Sequence, residues 1–190
     1  SFLVSAQIVR AQEYGLQFQG EDFNLDQRTG LNLTPEKYYT FKNEFEISFD
    51  YKAIRIKPDS NDGLFGYIFR IIDKDLNNID LLNMPLPHLE LKLVLGRLNK
   101  AISVKYSEEM IGEWINLRIQ FFQNEDKLVL HTPDSVYVQE NMGFERKESF
   151  KIIFGANHYK QFKNTDVPSM AIKDIKIFEQ GKLKYHWPLN

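Results

Sequence analysis

Cysteine is absent from the 190 residues of the chain, and with it go disulfides, thiolate nucleophiles and cysteine-built zinc sites. A core of this size needs no such staples, so the absence leaves the compartment open. An excess of either charge is also missing: 24 Lys and Arg stand against 26 Asp and Glu, for a formal net charge of −2. Nucleic-acid and anionic-membrane partners normally leave a basic patch or stripe; none is visible, so no nucleic-acid partner is expected. No apolar run reaches the roughly 18 residues of a membrane-crossing helix, so no membrane span is read. There is no internal repeat at periods of about 20 to 50 residues and no low-complexity segment. The 7 Pro and 10 Gly are scattered, so no linker is marked. No segment holds a 3.6-residue period for more than about two turns, although Ser107 to Gly112 accommodates one short helical turn.

What the chain has in quantity is apolar and aromatic material: 43% apolar residues, with 15 Phe and 9 Tyr. That rules out disorder and suffices for one core, expected over residues 12–190. The dominant period is two. Phe45 to Tyr51 alternates apolar and polar strictly, the pattern of a strand with one face on a core and one in water. The phase slips at Ala53, which predicts a bulge or a strand break there. The alternation recurs at Leu89 to Leu93, Ile102 to Tyr106 and Ile115 to Phe121, with shorter runs at Leu128 to Leu130, Val136 to Val138 and Ile152 to Phe154. Turn clusters separate these runs: Pro58 to Gly63, Asp73 to Asn78, Gln123 to Asp126 and Thr132 to Asp134. The expected fold is all-β, two packed antiparallel sheets.

Residues 1–11 admit two readings. Ser1 to Val9 reads as the end of a signal-peptide segment, with Ala11 as the small residue ahead of a cleavage point and a mature chain from near Gln12. The alternative is a first strand over Phe2 to Val9.

Four stretches in order resemble laminin G-like members of the concanavalin A-like lectin/glucanase superfamily. They are Tyr14-Gly15-Leu16-Gln17-Phe18-Gln19-Gly20, Phe45-Glu46-Ile47-Ser48-Phe49, Glu113-Trp114-Ile115-Asn116-Leu117-Arg118-Ile119 and Ile172-Lys173-Asp174-Ile175-Lys176-Ile177-Phe178. The likeness runs roughly from Tyr14 to Leu189. The stretch from Phe154 to Leu189 also resembles uncharacterised exported bacterial proteins in which such a domain precedes kelch-type repeats. The resemblance implies a jelly-roll sandwich with nearby termini, acting as a binding module for a glycan or an adjoining domain outside the cytoplasm, in the periplasm or at the cell surface. Some relatives use a rim Ca²⁺, and a minority are glycoside hydrolases or lyases.

Enzymatic relatives carry a Glu-x-Asp-x-x-Glu set on one strand, because alternate residues share a face and place two carboxylates about 5 Å apart. Here Glu44, Glu46, Ser48 and Asp50 share a face, but Ser48 breaks the set and a solvated outer sheet face explains it. No catalytic residue is therefore assigned. A divergent hydrolase or lyase, and a purely structural spacer, stand as the alternatives. Asp73 to Ile79 begins like a calcium loop but has Asn78 where an EF-hand needs Gly and Met84 where it needs an acid. A polar hairpin turn is expected there, with weak Ca²⁺ binding as the only cofactor chemistry left open. His88, His131, His158 and His186 fall in no metal-ligand spacing. The most ligand-like segment is Asn157 to Asp166, whose rings, amides and carboxylate suit sugar stacking and hydroxyl hydrogen bonds. Its candidate ligand-binding residues are Asn157, His158, Tyr159 and Asp166. Trp114 is expected to be a buried packing residue. At the C-terminus Leu183, Tyr185, Trp187 and Leu189 share one parity and are expected to face the core, with Tyr14, Leu16 and Phe18 beside Trp187 and Pro188 confining the strand to an edge.

Overall fold

A computed structural model of the chain describes residues 15–20, 23–57, 60–85 and 89–189. The readings of residues 1–11, of Tyr14, of Pro58 and Asp59 and of His88 lie outside the described residues. The strands in chain order are β1 (Leu16–Phe18), β2 (Gly30–Asn32), β3 (Tyr39–Lys42), β4 (Glu44–Ala53), β5 (Gly66–Asp73), β6 (Asn78–Met84), β7 (Glu90–Leu95) and β8 (Lys100–Lys105). They continue as β9 (Ile115–Phe122), β10 (Lys127–His131), β11 (Val136–Glu140), β12 (Lys147–Gly155), β13 (Asn157–Tyr159), β14 (Phe162–Asn164), β15 (Met170–Glu179) and β16 (Lys182–Trp187). The helical turn expected near Ser107 is a 3₁₀ turn at Glu108–Met110. The strand break expected at Ala53 is the end of β4.

Two antiparallel sheets face each other. Sheet I runs β1-β15-β4-β9-β10-β11, with β16 also on β15; sheet II runs β2-β12-β5-β6-β7-β8, with β3 also on β12. In sheet I the alternation of β4 sends Phe45, Ile47, Phe49 and Tyr51 inward, and its neighbour β9 adds Leu117, Ile119 and Phe121 in register. Sheet II answers with Phe150, Ile152 and Phe154 of β12 and Phe69 and Ile71 of β5. The rings meet in two groups. Phe45 stacks on Phe41 and on Phe121, each at 4.2 Å, while Phe49 meets Phe154 edge-on at 5.1 Å. Each such ring removes about 150–250 Å² from water, so this layer dominates the drive to fold.

The outer faces differ. That of sheet I is open, and β4 and β9 alternate buried with half-buried residues along their length. That of sheet II is covered, and β5 is buried at seven of its eight positions. Arg70 and Asp80 lie side by side there in a bidentate pair at 2.6 and 2.7 Å, 6% and 2% exposed. Tyr67 and Phe162 close over the guanidinium at 4.5 and 5.1 Å. Lys151, also buried, donates to the carbonyls of Thr34 and Pro35 under the rings of Tyr38 and Tyr159.

The C-terminal strand departs from expectation. Trp187 is half-buried against the core, but Leu183 is 52% and Tyr185 38% exposed. The parity is as read; β16, however, is an edge strand, and what faces it is the single ring of Tyr39, stacked on Tyr185 at 4.3 Å. Nor do β1 and β16 pair with each other. Both lie on one edge of β15, Leu16 opposite Ile172 and Trp187 opposite Ile175. A bulge at Asp174, whose φ is +52°, separates the two pairings. Trp114 is likewise not a core residue: it is half-buried outside the core, with Lys52 and Lys173 over its ring.

Two outcomes follow. Arg70→Met leaves Asp80 buried and unpaired and costs about 3–5 kcal/mol in urea unfolding, whereas Arg70→Met with Asp80→Leu recovers most of it. A double variant no more stable than the single would show that the pair itself, not its completeness, is required. At the bulge, hydrogen bonds from Lys176 and then His186 hold the Asp174 carboxyl below its usual value. A depressed folded pKa stabilises fully above the unfolded value near 3.9 and loses that contribution as pH falls through the folded value. The pair is about one-third exposed, so Asp174→Asn costs less than about 1 kcal/mol at pH 7, and the difference vanishes by about pH 2.

Candidate functional site

After β12 the chain crosses to the outside of sheet II and returns as the β13–β14 hairpin. The crossing needs two glycines. A Cβ on Gly155, at φ +67°, would lie 2.7 Å from the Phe18 ring, and one on Gly30 would lie 1.9 Å from the Ala156 carbonyl oxygen. No other residue lets β2 pass this close to the base of the hairpin. The result is a cleft of about 420 Å³ between the hairpin and residues 25–32, floored by Ile153 and Ala156.

Three of the four residues singled out in the sequence line this cleft: Asn157, His158 and Tyr159. Asn157 is 6% exposed; its Oδ1 accepts from the Tyr159 amide at 3.3 Å, while its Nδ2 is buried with no acceptor. His158 is exposed. The Tyr159 hydroxyl shares a hydrogen bond with that of Tyr38, the rings set edge to face at 6.5 Å. Burial pushes the Tyr159 phenol up, but the Tyr38 hydrogen bond and the ammonium groups of Lys160 and Lys151 outweigh it and bring it below its ordinary value. Partial burial, and then the hydrogen bond and charge of Tyr159, push Tyr38 up to about 12.

Asp166 does not line the cleft. Its carboxylate lies behind, 3.7 Å from Arg28 Nη1, and that nitrogen donates to the Thr165 carbonyl at 2.7 Å. Arg28 Nε donates to the Phe23 carbonyl at 3.3 Å, so one guanidinium ties both walls together. Arg28, Asp26 and Asn32 are the polar lining that sequence reading missed. They sit about 125 residues upstream in a segment with only three residues of strand, and no periodicity marks them.

The other sequence candidates are engaged. Glu46 accepts from Gln120 at 2.8 Å and Asp50 from Asn116 at 2.9 Å on the outer face of sheet I. Asp73 turns the β5–β6 hairpin, accepting from the Asn77 amide at 2.9 Å and from Arg97, which also binds Glu148. Among the described residues no group of three or more His, Asp or Glu side chains gathers as a metal would require, and no helix is long and apolar enough to cross a membrane.

No family model matches the sequence, and no curated protein matches it. Solved structures do resemble it. A heptameric SAP-like pentraxin from Limulus polyphemus aligns with a TM-score of 0.60 and 14% identity over 89% of this chain and 76% of its own. Domains LG4-5 of the mouse laminin alpha1 chain align at 0.56 and 14% over 97% of this chain, which spans 47% of that fragment. An alginate lyase aligns at 0.54 and 9% over 81% and 72%. The fold is the concanavalin A-like jelly roll. At these identities the likeness concerns the fold alone, which a pentraxin, a laminin and an alginate lyase share.

Because Arg28 ties both walls of the cleft, Arg28→Ala should speed amide exchange about tenfold or more at residues 23–27 and 164–166 while leaving β4 and β9 unchanged. Uniform exchange across all of these would refute the tie.

Proposed function

We propose that this jelly roll is a non-catalytic carbohydrate-binding or partner-docking module of a larger exported protein, with the hairpin cleft as its ligand site. The observation supporting it is the buried, unpartnered Nδ2 of Asn157 in a cleft it shares with His158, Tyr159, Asp26 and Arg28. A buried donor without an acceptor is costly, and a ligand hydroxyl or carbonyl would satisfy it. The ring of Tyr159 offers an apolar face, and Asp26 and Arg28 supply a charged acceptor and donor, the mixture that fixes sugar rings. In favour of a non-catalytic role, Glu46 and Asp50 are both engaged by neighbouring amides. The laminin neighbour is itself a pair of such domains, in keeping with a module of a longer chain. An extracytoplasmic location and adjoining kelch-type repeats belong to this same proposal.

A glycan array followed by titration calorimetry tests it. The chain binds at least one glycan; Asn157→Ala and His158→Ala each weaken it about tenfold, or ~1.4 kcal/mol, while Asn157→Ala lowers stability by only about 1 kcal/mol. No glycan bound, with tight docking to the adjoining domain, would sink the carbohydrate half. Release of new reducing or unsaturated ends from any polysaccharide would overturn the non-catalytic half.

A further inference from the structure

The open face of sheet I carries a second arrangement. Trp114, Asn116, Arg118, Gln120 and Phe122 point outward in turn from β9 and the residue before it, an aromatic ring at each end and three planar polar groups between. At the strand rise of about 3.3 Å per residue the backbone spans about 26 Å between the residues that carry the two rings. Two hollows of about 710 and 220 Å³ lie along this row and meet at Glu46 and Phe178.

The polar groups are held in one orientation. Arg118 Nη2 lies 3.2 Å from His131 Nδ1 and can only donate, so Nδ1 accepts and neutral His131 carries its proton on Nε2. That Nε2 donates to Gln120 Oε1 at 2.7 Å, which turns the Gln120 amide nitrogen toward Glu46 at 2.8 Å. Glu46 closes the circuit at 3.9 Å from Arg118. Burial and then the Arg118 charge hold His131 below its usual pKa, in keeping with the neutral ring. Counting the lysines over the two rings and the carboxylates paired along the row, Glu44, Glu46, Asp50, Glu125 and Asp174 stand against Lys52, Arg118, Lys127, Lys173 and Lys176, so the face carries no net charge.

We infer that this face is a second binding surface, for an extended uncharged polysaccharide laid along β9, with Trp114 and Phe122 as end platforms and Gln120 as the central anchor. Hydroxyls both donate and accept, which suits amides of fixed polarity, and charge balance gives an acidic polymer no advantage over a neutral one. Lysines lie over both platforms, Lys52 at 5.7 Å and Lys173 at 4.3 Å from Trp114 and Lys127, ion-paired with Glu125, at 4.7 Å from Phe122, and a sugar ring that stacks on either platform takes the place of these cations. The inference rests on the carbohydrate-binding reading but not on the hairpin cleft.

Native gels cast with soluble neutral polymers (mixed-linkage glucan, xylan, galactomannan) or with polygalacturonate test it. At least one neutral polymer retards the protein, and the binding changes less than about twofold between low salt and 0.5 M, since no net charge is screened. Gln120→Leu and Trp114→Ala weaken it about tenfold or more, with thermal unfolding as the check on folding, while Lys105→Ala, exposed on the end strand β8 of sheet II, leaves it unchanged. In a Trp187→Phe background, where Trp114 is the sole indole, the same polymer shifts the fluorescence. Retardation by no neutral polymer, or by polygalacturonate alone, overturns the inference. So does binding lost in Asn157→Ala and kept in Gln120→Leu, which would leave the cleft as the site; the reverse pattern removes the cleft and keeps the face.

Discussion

Arg70 stands in the middle of a sheet face, and the rest of the outer architecture answers to it. A guanidinium buried without a counter-charge costs several kcal/mol, so Asp80 must sit beside it on the neighbouring strand, which fixes the β5–β6 register. The pair must also be kept dry on its open side. Phe162 does this from above, so the β13–β14 hairpin has one place to lie. Lys151 repeats the logic a strand away, with backbone carbonyls and two tyrosine rings in place of a carboxylate. The hairpin cleft is thus the gap left where a cover required by buried cations meets the 25–32 segment.

The two outer faces follow opposite solutions. Sheet II hides its charges beneath a second layer, while sheet I keeps its polar groups at the surface and pairs them laterally: Glu46 with Gln120, Asp50 with Asn116, Arg118 with His131. Lateral pairs at half-exposed positions add little stability individually. Their effect is to hold side chains that would otherwise sample many rotamers, and an ordered polar face loses less entropy when something binds it.

This contrast decides what was legible in the sequence. β4 and β9 show clean alternation because one of their faces meets water. β5 and β6, with Ile68 to Ile72 and Leu81 to Asn83 buried on both sides, have no period of two to display and were legible only as the flanks of the Asp73 hairpin turn. The same blindness hid the buried-charge rule, since nothing linear ties Arg70 to Phe162. Parity was readable at Leu183, Tyr185, Trp187 and Leu189, but the extent of the opposing sheet was not, so the expected burial reached only Trp187 and Leu189. Trp114 was misplaced for a related reason: the residues after it are core, but it stands on the outward parity. In the cleft, the hairpin half was recognisable from its composition, while Arg28 and Asp26 enter through a fold-level approach that Gly30 and Gly155 permit.

That approach also bears on how the cleft would bind. Glycine at both crossing points removes side chains where the two backbones pass, so the walls are set by backbone contact and by Arg28 rather than by rotamers. Tyr159 is fixed from beneath by Tyr38, and Asn157 by its own turn to the Tyr159 amide. Of the lining, His158, Asp26 and Leu25, the last 62% exposed, are left to adjust to a ligand. A site so constrained gains little by induced fit. Discrimination among ligands would then rest on whether they present an acceptor to Asn157 Nδ2, a buried donor of the cleft lining whose hydrogen bond the fold itself leaves unmade.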